Sequence, residues 1–372
     1  MTKDEDLLVV GVNLLALAGY KKEVLSLLLI FVGVNAEVSW TFTTTQGLGV
    51  TLEIGVGTPA TTVSLYAFVD SQDHYETDLL IPDVSIGGTY DYTQSPTFEF
   101  VSTYFDYDGV TPIGVYGKET FTIGGKTVES KPFAVRNDSI FQESYGNGTG
   151  VIGFGMPTFP NDFGNFVQSL LDAEDEKVVS FSYDTVPQWN DNQTVMAGVI
   201  SIGGRQPDRC SSDWTVWPTA PFEDEYFGPW GVELTDVSAG VYTWDHEASL
   251  SLLDHQSIFC LQGQVLFSLT SPYFFFGETI YKPLLESMGS IGPGWVSCDY
   301  AEDLVYTLGE TEVHIAPADF IDYNSDQGNG QCAFLGWETF CDHCYSLPNT
   351  VLRGKCLMYD FGNEQLGITN QL

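Results

Sequence analysis

Basic residues are scarce in this chain of 372 residues. Thirteen Lys and Arg side chains stand against 50 Asp and Glu, which gives a formal net charge of −37 at pH 7. A field this negative opposes binding to nucleic acid and to anionic lipid surfaces. The charge is compatible with a soluble protein of an acidic compartment such as the gut lumen, because protonation there would relieve the repulsion between carboxylates. We therefore expect no nucleic-acid partner.

Residues that bind metals or nucleotides are also few. The five histidines are scattered along the chain, at His74, His246, His255, His314 and His343. Cys341 and Cys344 have Cys-x-x-Cys spacing, but no second pair of ligands lies nearby, so local disulfide pairing is the preferred interpretation. The sequence also lacks a Ser-His-Asp frame and a phosphate-binding glycine loop. It therefore predicts no metal and no cofactor.

Two apolar runs lie near the N-terminus, at residues 7–18 and 24–34. The second run has Lys21 and Lys22 before it and Val34-Asn-Ala36 behind it, which predicts a secretory signal cleaved near Ala36. Such signals normally begin close to the initiating Met, so the first 20 residues or so are anomalous. The alternative is a membrane anchor, although each run is short for a span. We assign residues 1–36 to a leader and expect no other contact with a membrane.

Cysteine is limited to seven residues, all between positions 210 and 356. In a chain with a secretory leader such cysteines are consistent with disulfides. Three Asn-x-Ser/Thr sequons, at Asn137, Asn147 and Asn192, fit the same route as candidate glycosylation sites. The sequence thus predicts a secreted or extracellular glycoprotein.

Glycine and aromatic residues are abundant, at 38 glycines and 14% aromatic residues. Beyond residue 37 the chain consists of short alternating segments closed by glycine turns, a pattern typical of strands. Helical spacing is found best in two segments at corresponding places in the two halves, residues 163–171 and 280–288. The pattern predicts an all-β chain with two similar lobes, residues 37–204 and 205–372. We expect a monomer.

Three successive segments resemble the first active-site loop of the pepsin-like aspartic peptidases. They are Leu52-Glu-Ile-Gly-Val-Gly-Thr-Pro59, Ser64-Leu-Tyr-Ala-Phe-Val-Asp70 and Leu79-Leu-Ile-Pro82. Later segments resemble the family in the same order. They are Gly114-Val-Tyr-Gly-Lys-Glu-Thr-Phe121, Gly148-Thr-Gly-Val-Ile-Gly-Phe-Gly155 and the stretch from Leu352 to Gly367, which is similar to the end of some invertebrate digestive members. The resemblance covers nearly everything after residue 37.

The resemblance implies an all-β, bilobal fold with a central cleft and a hairpin flap over it. Tyr107 then stands at the position of the flap tyrosine, where it would contact a ligand; the alternative is an ordinary aromatic residue on an exposed hairpin. The resemblance also implies two disulfides, Cys298 with Cys332 and Cys210 with Cys356. Cys260, Cys341 and Cys344 are left over, so one thiol would be free or intermolecular.

Catalysis in this family uses two aspartates, one from each lobe, that face each other across the cleft. Like charges so close cannot both ionise, so the pair holds one proton between its members. The ionised member takes a proton from water while the protonated member hydrogen-bonds the scissile carbonyl. Each aspartate is normally followed by Thr-Gly, and here Asp70 is followed by Ser71-Gln72. Asp70 is thus a remnant of the first motif or a loop acid that caps backbone amides.

The second motif allows two alignments. In the preferred one Gln264-Val-Leu-Phe-Ser268-Leu-Thr-Ser271 matches the second loop, because the predicted helix and Cys298 then follow at suitable distances. Ser268 then replaces the second aspartate. In the alternative, Asp254 is the second aspartate, and 254 − 70 = 184 residues separate it from Asp70. This alignment needs an insertion before the helix.

These alignments lead to two functional hypotheses. With Ser268 at the second position, the protein would be a catalytically inactive homologue whose cleft still binds a peptide or protein ligand. With Asp70 and Asp254 as the pair, it would be an acid endopeptidase. A third reading treats the fold as a scaffold only, since a fold does not establish a function.

Overall fold

The computed structural model describes residues 38–45, 49–68, 79–105, 111–137, 149–155, 164–184, 194–219, 230–240, 242–245, 264–269, 273–290, 292–326, 328–339 and 344–372. Residues 36–372 form one compact unit. The predicted leader, residues 1–36, lies outside the described residues, as do Asp70, Tyr107, Asn147, Asn192 and Asp254.

The described residues up to position 202 contain ten strands. They are β1 (Val38–Thr45), β2 (Gly49–Val56), β3 (Thr61–Phe68), β4 (Leu79–Pro82), β5 (Glu99–Phe105), β6 (Pro112–Ile123), β7 (Lys126–Arg136), β8 (Thr149–Gly153), β9 (Val178–Tyr183) and β10 (Thr194–Ile202). One α-helix, α1 (Phe166–Leu171), follows β8.

The described residues after position 202 contain 14 strands. They are β11 (Thr215–Pro218), β12 (Val232–Ala239), β13 (Tyr242–Asp245), β14 (Gln264–Phe267), β15 (Phe274–Gly277), β16 (Trp295–Ser297), β17 (Leu304–Leu308), β18 (Thr311–Ile315), β19 (Ile321–Asp322), β20 (Gln331–Phe334), β21 (Gly336–Thr339), β22 (Cys344–Leu347), β23 (Lys355–Asp360) and β24 (Gln365–Asn370). A second α-helix, α2 (Glu278–Ser287), follows β15. The prediction of an all-β fold with little helix is confirmed.

The strands form three sheets. The largest has 13 strands in the order β11-β24-β23-β9-β10-β1-β2-β3-β8-β4-β7-β6-β5. The second has the path β18-β17-β12-β14-β22-β15-β21, with β13 beside β12, and the third is β16-β20-β19. Strands β9 and β23 lie side by side in the large sheet, with Ser180 opposite Met358. The two halves of the sequence therefore share one sheet.

Alternating side chains explain why these segments form strands with one buried face. In β3, Val63, Leu65 and Ala67 are buried, while Ser64 between them is exposed. Successive side chains of a strand point to opposite faces, so this alternation buries one face and leaves the other open. The buried face belongs to a main core that extends through both halves of the chain.

Two groups of four strands have the same order and the same directions. In the first unit, β3 is parallel to β8, β8 antiparallel to β4, and β4 parallel to β7. In the second unit, β14 is parallel to β22, β22 antiparallel to β15, and β15 parallel to β21. The sequence expectation of two similar halves thus has a physical counterpart in these repeated units.

The helices, however, do not occupy corresponding places in the two units. Helix α1 comes after β8, the second strand of the first unit, whereas α2 comes after β15, the third strand of the second. After β22 the chain forms a 3-10 helix, Asn349–Leu352, which Pro348 precedes and Gly354 soon follows. With so few residues before β23, no longer helix fits there.

Trp230 connects the two halves inside the core. It is only 1% exposed, and its indole Nε1 donates a hydrogen bond to the carbonyl of Phe154 at 2.8 Å. Its ring contacts Tyr359 and Phe361, with centroids 4.8 and 4.9 Å apart. A buried indole N–H needs such a partner, so this contact fixes where the second half meets the first.

Two disulfides connect cysteines of the described residues. Cys210 is bonded to Cys356 of β23, and Cys298 is bonded to Cys332 of β20. These are the two pairs that the family resemblance implied. None of the helices in the described part of the chain has the length and hydrophobicity that crossing a membrane requires.

Candidate functional site

The site predicted from the sequence lies where β3 and β14 end, because each of these strands leads into a predicted active-site loop. Asp70 and Asp254 lie outside the described residues, so the structure tests neither position. Ser268 and the strands around it are described.

Ser268 follows β14 directly and continues its pairing. Its backbone N–H donates to the carbonyl of Leu347 at 2.8 Å. Phe267 and Leu269 on either side are fully buried, whereas Ser268 is half-buried. Because neighbouring side chains alternate between faces, Ser268 lies on the face opposite the main core.

The carbonyl of Leu269, one residue further, accepts hydrogen bonds from two other parts of the chain. Val50 of β2 donates its backbone N–H at 3.2 Å, and Asn349 donates its side-chain amide at 3.4 Å. Asn349 is 4% exposed, so its amide needs such a partner. The bond from Val50 holds the backbone after Ser268 against the first half of the chain, and the bond from Asn349 holds it against the segment that follows β22.

A second apolar cluster lies on the face of the first unit opposite the main core, and we call it the flap-side cluster. Its buried members are Leu80, Tyr104, Ile113, Tyr116, Ala134 and Val151. Tyr66 and Phe68 of β3 are partly buried and pack against it. Tyr66 and Phe68 are thus the partly exposed part of this apolar packing, and their place next to the end of β3 suits the wall of a peptide-binding cleft.

The predicted flap is an antiparallel hairpin of β5 and β6. The register of this hairpin shifts between Phe100 and Ser102 and again between Tyr104 and Phe105. Tyr104 and Tyr116 contact each other across the two strands, with ring centroids 4.7 Å apart. Residues 106–110, which follow β5 and include Tyr107, lie outside the described residues. The hairpin thus supplies aromatic residues to the flap-side cluster.

Arg136 adds a cation to this apolar face. It ends β7, is 5% exposed, and its guanidinium lies 5.7 Å from the centre of the Tyr104 ring. A desolvated guanidinium over an aromatic face is attracted by the ring electrons. This residue could not be identified from the sequence, because an arginine at the end of a strand carries no signal of burial.

The face of the second unit opposite the main core has aromatic residues too. Phe275 of β15 and Ser346 of β22 are paired there and are half-buried. At the neighbouring edge, Trp337 is 57% exposed and meets the Tyr273 ring edge-on, at 5.7 Å between centroids. Both units therefore present aromatic side chains on the face opposite the main core. In the second unit this face also carries Ser268.

The Gly-Thr-Pro turn before β3 is held by a buried polar pair. Gly57 has a φ of +83°, and its N–H donates to Thr120 at 2.9 Å. A Cβ on Gly57 would lie 3.0 Å from both the Tyr90 ring and Ser95 Oγ, so the site needs glycine. The Tyr90 hydroxyl donates to the Glu119 carboxylate at 2.6 Å, and burial together with Glu119 raises the pKa of Tyr90.

The remaining site predictions concern glycosylation and metal binding. Asn137 is exposed at the end of β7, where a glycan could be attached, although the rest of its sequon is outside the described residues. Among the described residues, no three His, Cys, Asp or Glu side chains gather as metal ligands would.

The repeated units, the flap hairpin and the disulfides together define a pepsin-like aspartic peptidase fold. The chain belongs to the eukaryotic aspartyl protease family, which residues 51–371 match. The prediction of the family from the sequence is confirmed. In this family the cleft between the lobes binds a peptide substrate.

Two individual relatives add to this family match. The chain is similar to the probable aspartic-type endopeptidase opsB of Aspergillus fumigatus, with 24% identity over 306 residues that cover 77% of this chain and 59% of that protein. It is also similar to aspartic protease 1 of Caenorhabditis elegans, with 23% identity over 298 residues that cover 75% of this chain and 68% of that protein. The chain thus spans 59% of the length of the first relative.

Proposed function

We propose that this protein is a secreted pepsin-like homologue that binds a peptide or protein segment in its cleft without cutting it. The observation that carries the proposal is the end of β14. The second four-strand unit leads there into Ser268, in the loop that would supply the second aspartate. The preferred alignment of the sequence is supported by this position.

A serine cannot replace the second aspartate chemically. The family mechanism needs one proton shared by two carboxylates, so that one acts as base while the other donates to the scissile carbonyl. A serine hydroxyl stays protonated over the acidic range and cannot take part in that sharing. We expect no measurable peptide hydrolysis through an Asp70–Ser268 pair.

The surfaces that would hold a ligand do not depend on the aspartates. The flap-side cluster is closed by side chains of the hairpin and of the first unit, and it packs Tyr66 and Phe68 at its edge. The cluster holds the half-buried Tyr66 and Phe68 in place, and these two side chains would bind peptide side chains through burial of apolar area. Loss of the catalytic pair therefore leaves binding in place.

The second candidate function is acid endopeptidase activity through Asp70 and Asp254. It is favoured by the family and by the two relatives, both of which are named as aspartic peptidases. Asp254 precedes the first residue of β14 by ten positions, since 264 − 254 = 10. An active enzyme would have to place that carboxylate beside Asp70 from a loop before the strand.

Hydrolysis of denatured haemoglobin or casein between pH 2 and 6, with and without pepstatin, separates these functions. Asp70→Asn and Asp254→Asn serve as matched variants, and circular dichroism verifies that each sample is folded. We expect no cleavage by the folded protein, while the same substrates bind to it. Pepstatin-sensitive cleavage that both variants lose would overturn the proposal in favour of the endopeptidase.

Secretion and glycosylation are proposed from the leader and the sequons, and the disulfides fit an extracellular protein. Expression in insect cells should release a protein whose N-terminus begins after Ala36. Treatment with a glycosidase that removes N-linked glycans should increase its mobility, and Asn137→Gln should reduce that change. Light scattering should give the mass of a monomer.

A further inference from the structure

The two four-strand units can be matched residue by residue, because their strands have the same order and directions. Leu80 of β4 pairs with Val151 of β8, and both belong to the flap-side cluster. Phe275 of β15 pairs with Ser346 of β22, and both are half-buried on the face opposite the main core. In each unit, this is the pair of residues between the two strands whose side chains face away from the main core. The two pairs are therefore equivalent.

The neighbours of these pairs agree with the match. Leu79 and Ile152, beside the first pair, belong to the main core. Phe274 and Leu347, beside the second pair, belong to it as well. Side chains alternate between faces along a strand, so a shift of one residue would turn core side chains outward.

The match extends to the first strand of each unit. Val151 also pairs with Tyr66 of β3, and Ser346 also pairs with Leu266 of β14. Tyr66 and Leu266 are therefore equivalent. Two residues further along each strand is the next position on the same face.

That next position is Phe68 in the first unit and Ser268 in the second. Phe68 still belongs to β3 and pairs with Gly153. Ser268 continues the β14–β22 pairing by one residue, through its N–H to Leu347 at 2.8 Å. By the same count, the equivalent of Asp70 is Thr270, two positions beyond Ser268.

We propose that Phe68, rather than Asp70, stands opposite Ser268 at the centre of the cleft, and that this centre takes an uncharged, apolar part of a peptide ligand. The inference rests on the proposed function, since it concerns the same cleft. Neither side chain ionises, so the centre has no shared proton to present to a peptide carbonyl. Phe68 is half-buried and packs against the flap-side cluster, so it would continue that apolar packing into the centre of the cleft.

Introduced carboxylates test which residue faces Ser268. Ser268→Asp is made alone and with Phe68→Asp, and the aspartate carboxyl groups are titrated by carbon NMR. In the double variant we expect one carboxyl to titrate well above the ordinary aspartate pKa of about 3.9, coupled to its neighbour. The single variant should lack this coupling although Asp70 is present.

Two outcomes of this titration would overturn the inference. Coupling in Ser268→Asp that disappears when Asp70→Asn is added would place Asp70 opposite Ser268 and overturn the inference. Absence of coupling in a folded double variant would overturn it as well.

If the double variant does not fold, thiols replace the carboxylates. A short bifunctional thiol reagent should then join Phe68→Cys to Ser268→Cys at least about tenfold faster than Asp70→Cys to Ser268→Cys, and the reverse order would overturn the inference.

The apolar ligand is tested with an acetylated and amidated leucine-rich hexapeptide. Its dissociation constant should change less than about twofold between pH 3 and 6, because no charge at the centre titrates. Phe68→Asp should weaken binding at least about tenfold at pH 6, whereas Tyr323→Asp, at an exposed aromatic residue outside both units, should not. Equal binding by Phe68→Asp would overturn this part of the inference. Cleavage by the unmodified protein would instead overturn the proposed function, so the two can fail separately.

Discussion

At the scale of single residues, the pair of Tyr90 and Glu119 shows how the first lobe holds a carboxylate away from water. Glu119 is fully buried, and Tyr90 is 2% exposed. The carboxylate accepts from the Tyr90 hydroxyl at 2.6 Å and from the backbone N–H of Thr120 at 2.7 Å. A buried carboxylate that lacks hydrogen-bond donors destabilises the folded protein, so the Tyr90 hydroxyl contributes more to stability than an average hydroxyl does.

Removing that hydroxyl should destabilise the protein. Tyr90→Phe leaves one carboxylate oxygen of Glu119 without its donor, and we expect the free energy of unfolding to fall by about 2 kcal/mol. Urea denaturation followed by tryptophan fluorescence measures it. Tyr92→Phe, a half-buried tyrosine nearby, should change the value by less than about 0.5 kcal/mol. Equal effects of the two substitutions would contradict this account.

Asp319 links stability to pH. Burial raises the pKa of Asp319 above its ordinary 3.8, while Arg353 and Lys355 oppose the rise. As the pH falls, the Asp319 carboxyl is therefore protonated in the folded protein at a higher pH than in the unfolded chain. The stabilisation that this protonation gives to the folded state is fully present below pH 3.8 and is lost as the pH rises through the folded pKa.

Asp319→Asn should remove that dependence. At pH 3 the wild-type carboxyl is protonated and resembles the amide, so the two proteins should have similar free energies of unfolding, apart from a constant offset. At pH 7 the variant avoids a poorly solvated charge and should gain stability relative to wild type. Urea denaturation at both pH values measures the difference. Parallel pH curves for the two proteins would contradict the prediction.

The residues at the site show what the sequence can and cannot predict. Ser268 was identified because an apolar strand, a helix and a cysteine follow one another at family distances. The role proposed for Phe68 could not be derived from its own segment, because aligning that segment with the family motif places the nearby acid, Asp70, at the position of the first aspartate. Its equivalence to Ser268 depends on which strands pair, and strand partners distant in sequence leave no local pattern.

At the scale of elements, the segment after β10 secures two strands with one side chain. Gln206 is 5% exposed and has a φ of +52°. Its amide donates to the carbonyls of Ser180 and Val199, at 3.0 and 3.1 Å, and accepts from the Ser182 hydroxyl at 2.8 Å. The side chain thus bridges β9 and β10 where the chain leaves the first half.

Two substitutions separate the amide from the backbone at this position. Gln206→Ala loses the buried hydrogen bonds, and we expect a loss of about 2 kcal/mol in the free energy of unfolding. Gln206→Gly loses the same bonds but accepts the positive φ without strain, so it should be less destabilising than alanine. A glycine variant clearly less stable than the alanine variant would show that the backbone conformation is not under strain.

The elements themselves were predicted unevenly. Both α-helices lie within the segments expected from periodicity or begin close to them, Phe166–Leu171 and Glu278–Ser287. Their expected correspondence between lobes was wrong, because the repeat is defined by strand pairing and the helices follow different strands of it. Short apolar segments such as β4 were recognisable only through the family resemblance, since four buried residues have no clear periodicity.

At the scale of the whole molecule, the two disulfides of the described residues close loops of very different length. The Cys210–Cys356 bond closes a separation of 146 residues, and Cys298–Cys332 closes 34. Constraint of the unfolded chain predicts about 5 kcal/mol of stabilisation for the longer connection and about 4 kcal/mol for the shorter. Cys210→Ala with Cys356→Ala should therefore destabilise the protein more than Cys298→Ala with Cys332→Ala in urea denaturation. The opposite order would indicate that native-state packing at the shorter bond dominates.

The shared 13-stranded sheet has a consequence for the time at which the protein can fold during synthesis. Strand β9 has β10 on one side and β23 on the other, and its residue Ser182 pairs with Cys356, which is 356 − 182 = 174 positions later. A nascent chain that has completed its first lobe therefore exposes one edge of β9 until β23 leaves the ribosome. An open strand edge is a template for pairing with other chains. This edge of β9 is therefore covered only after β23 has been synthesised, and a chaperone that binds β9 during that interval would protect the chain from aggregation.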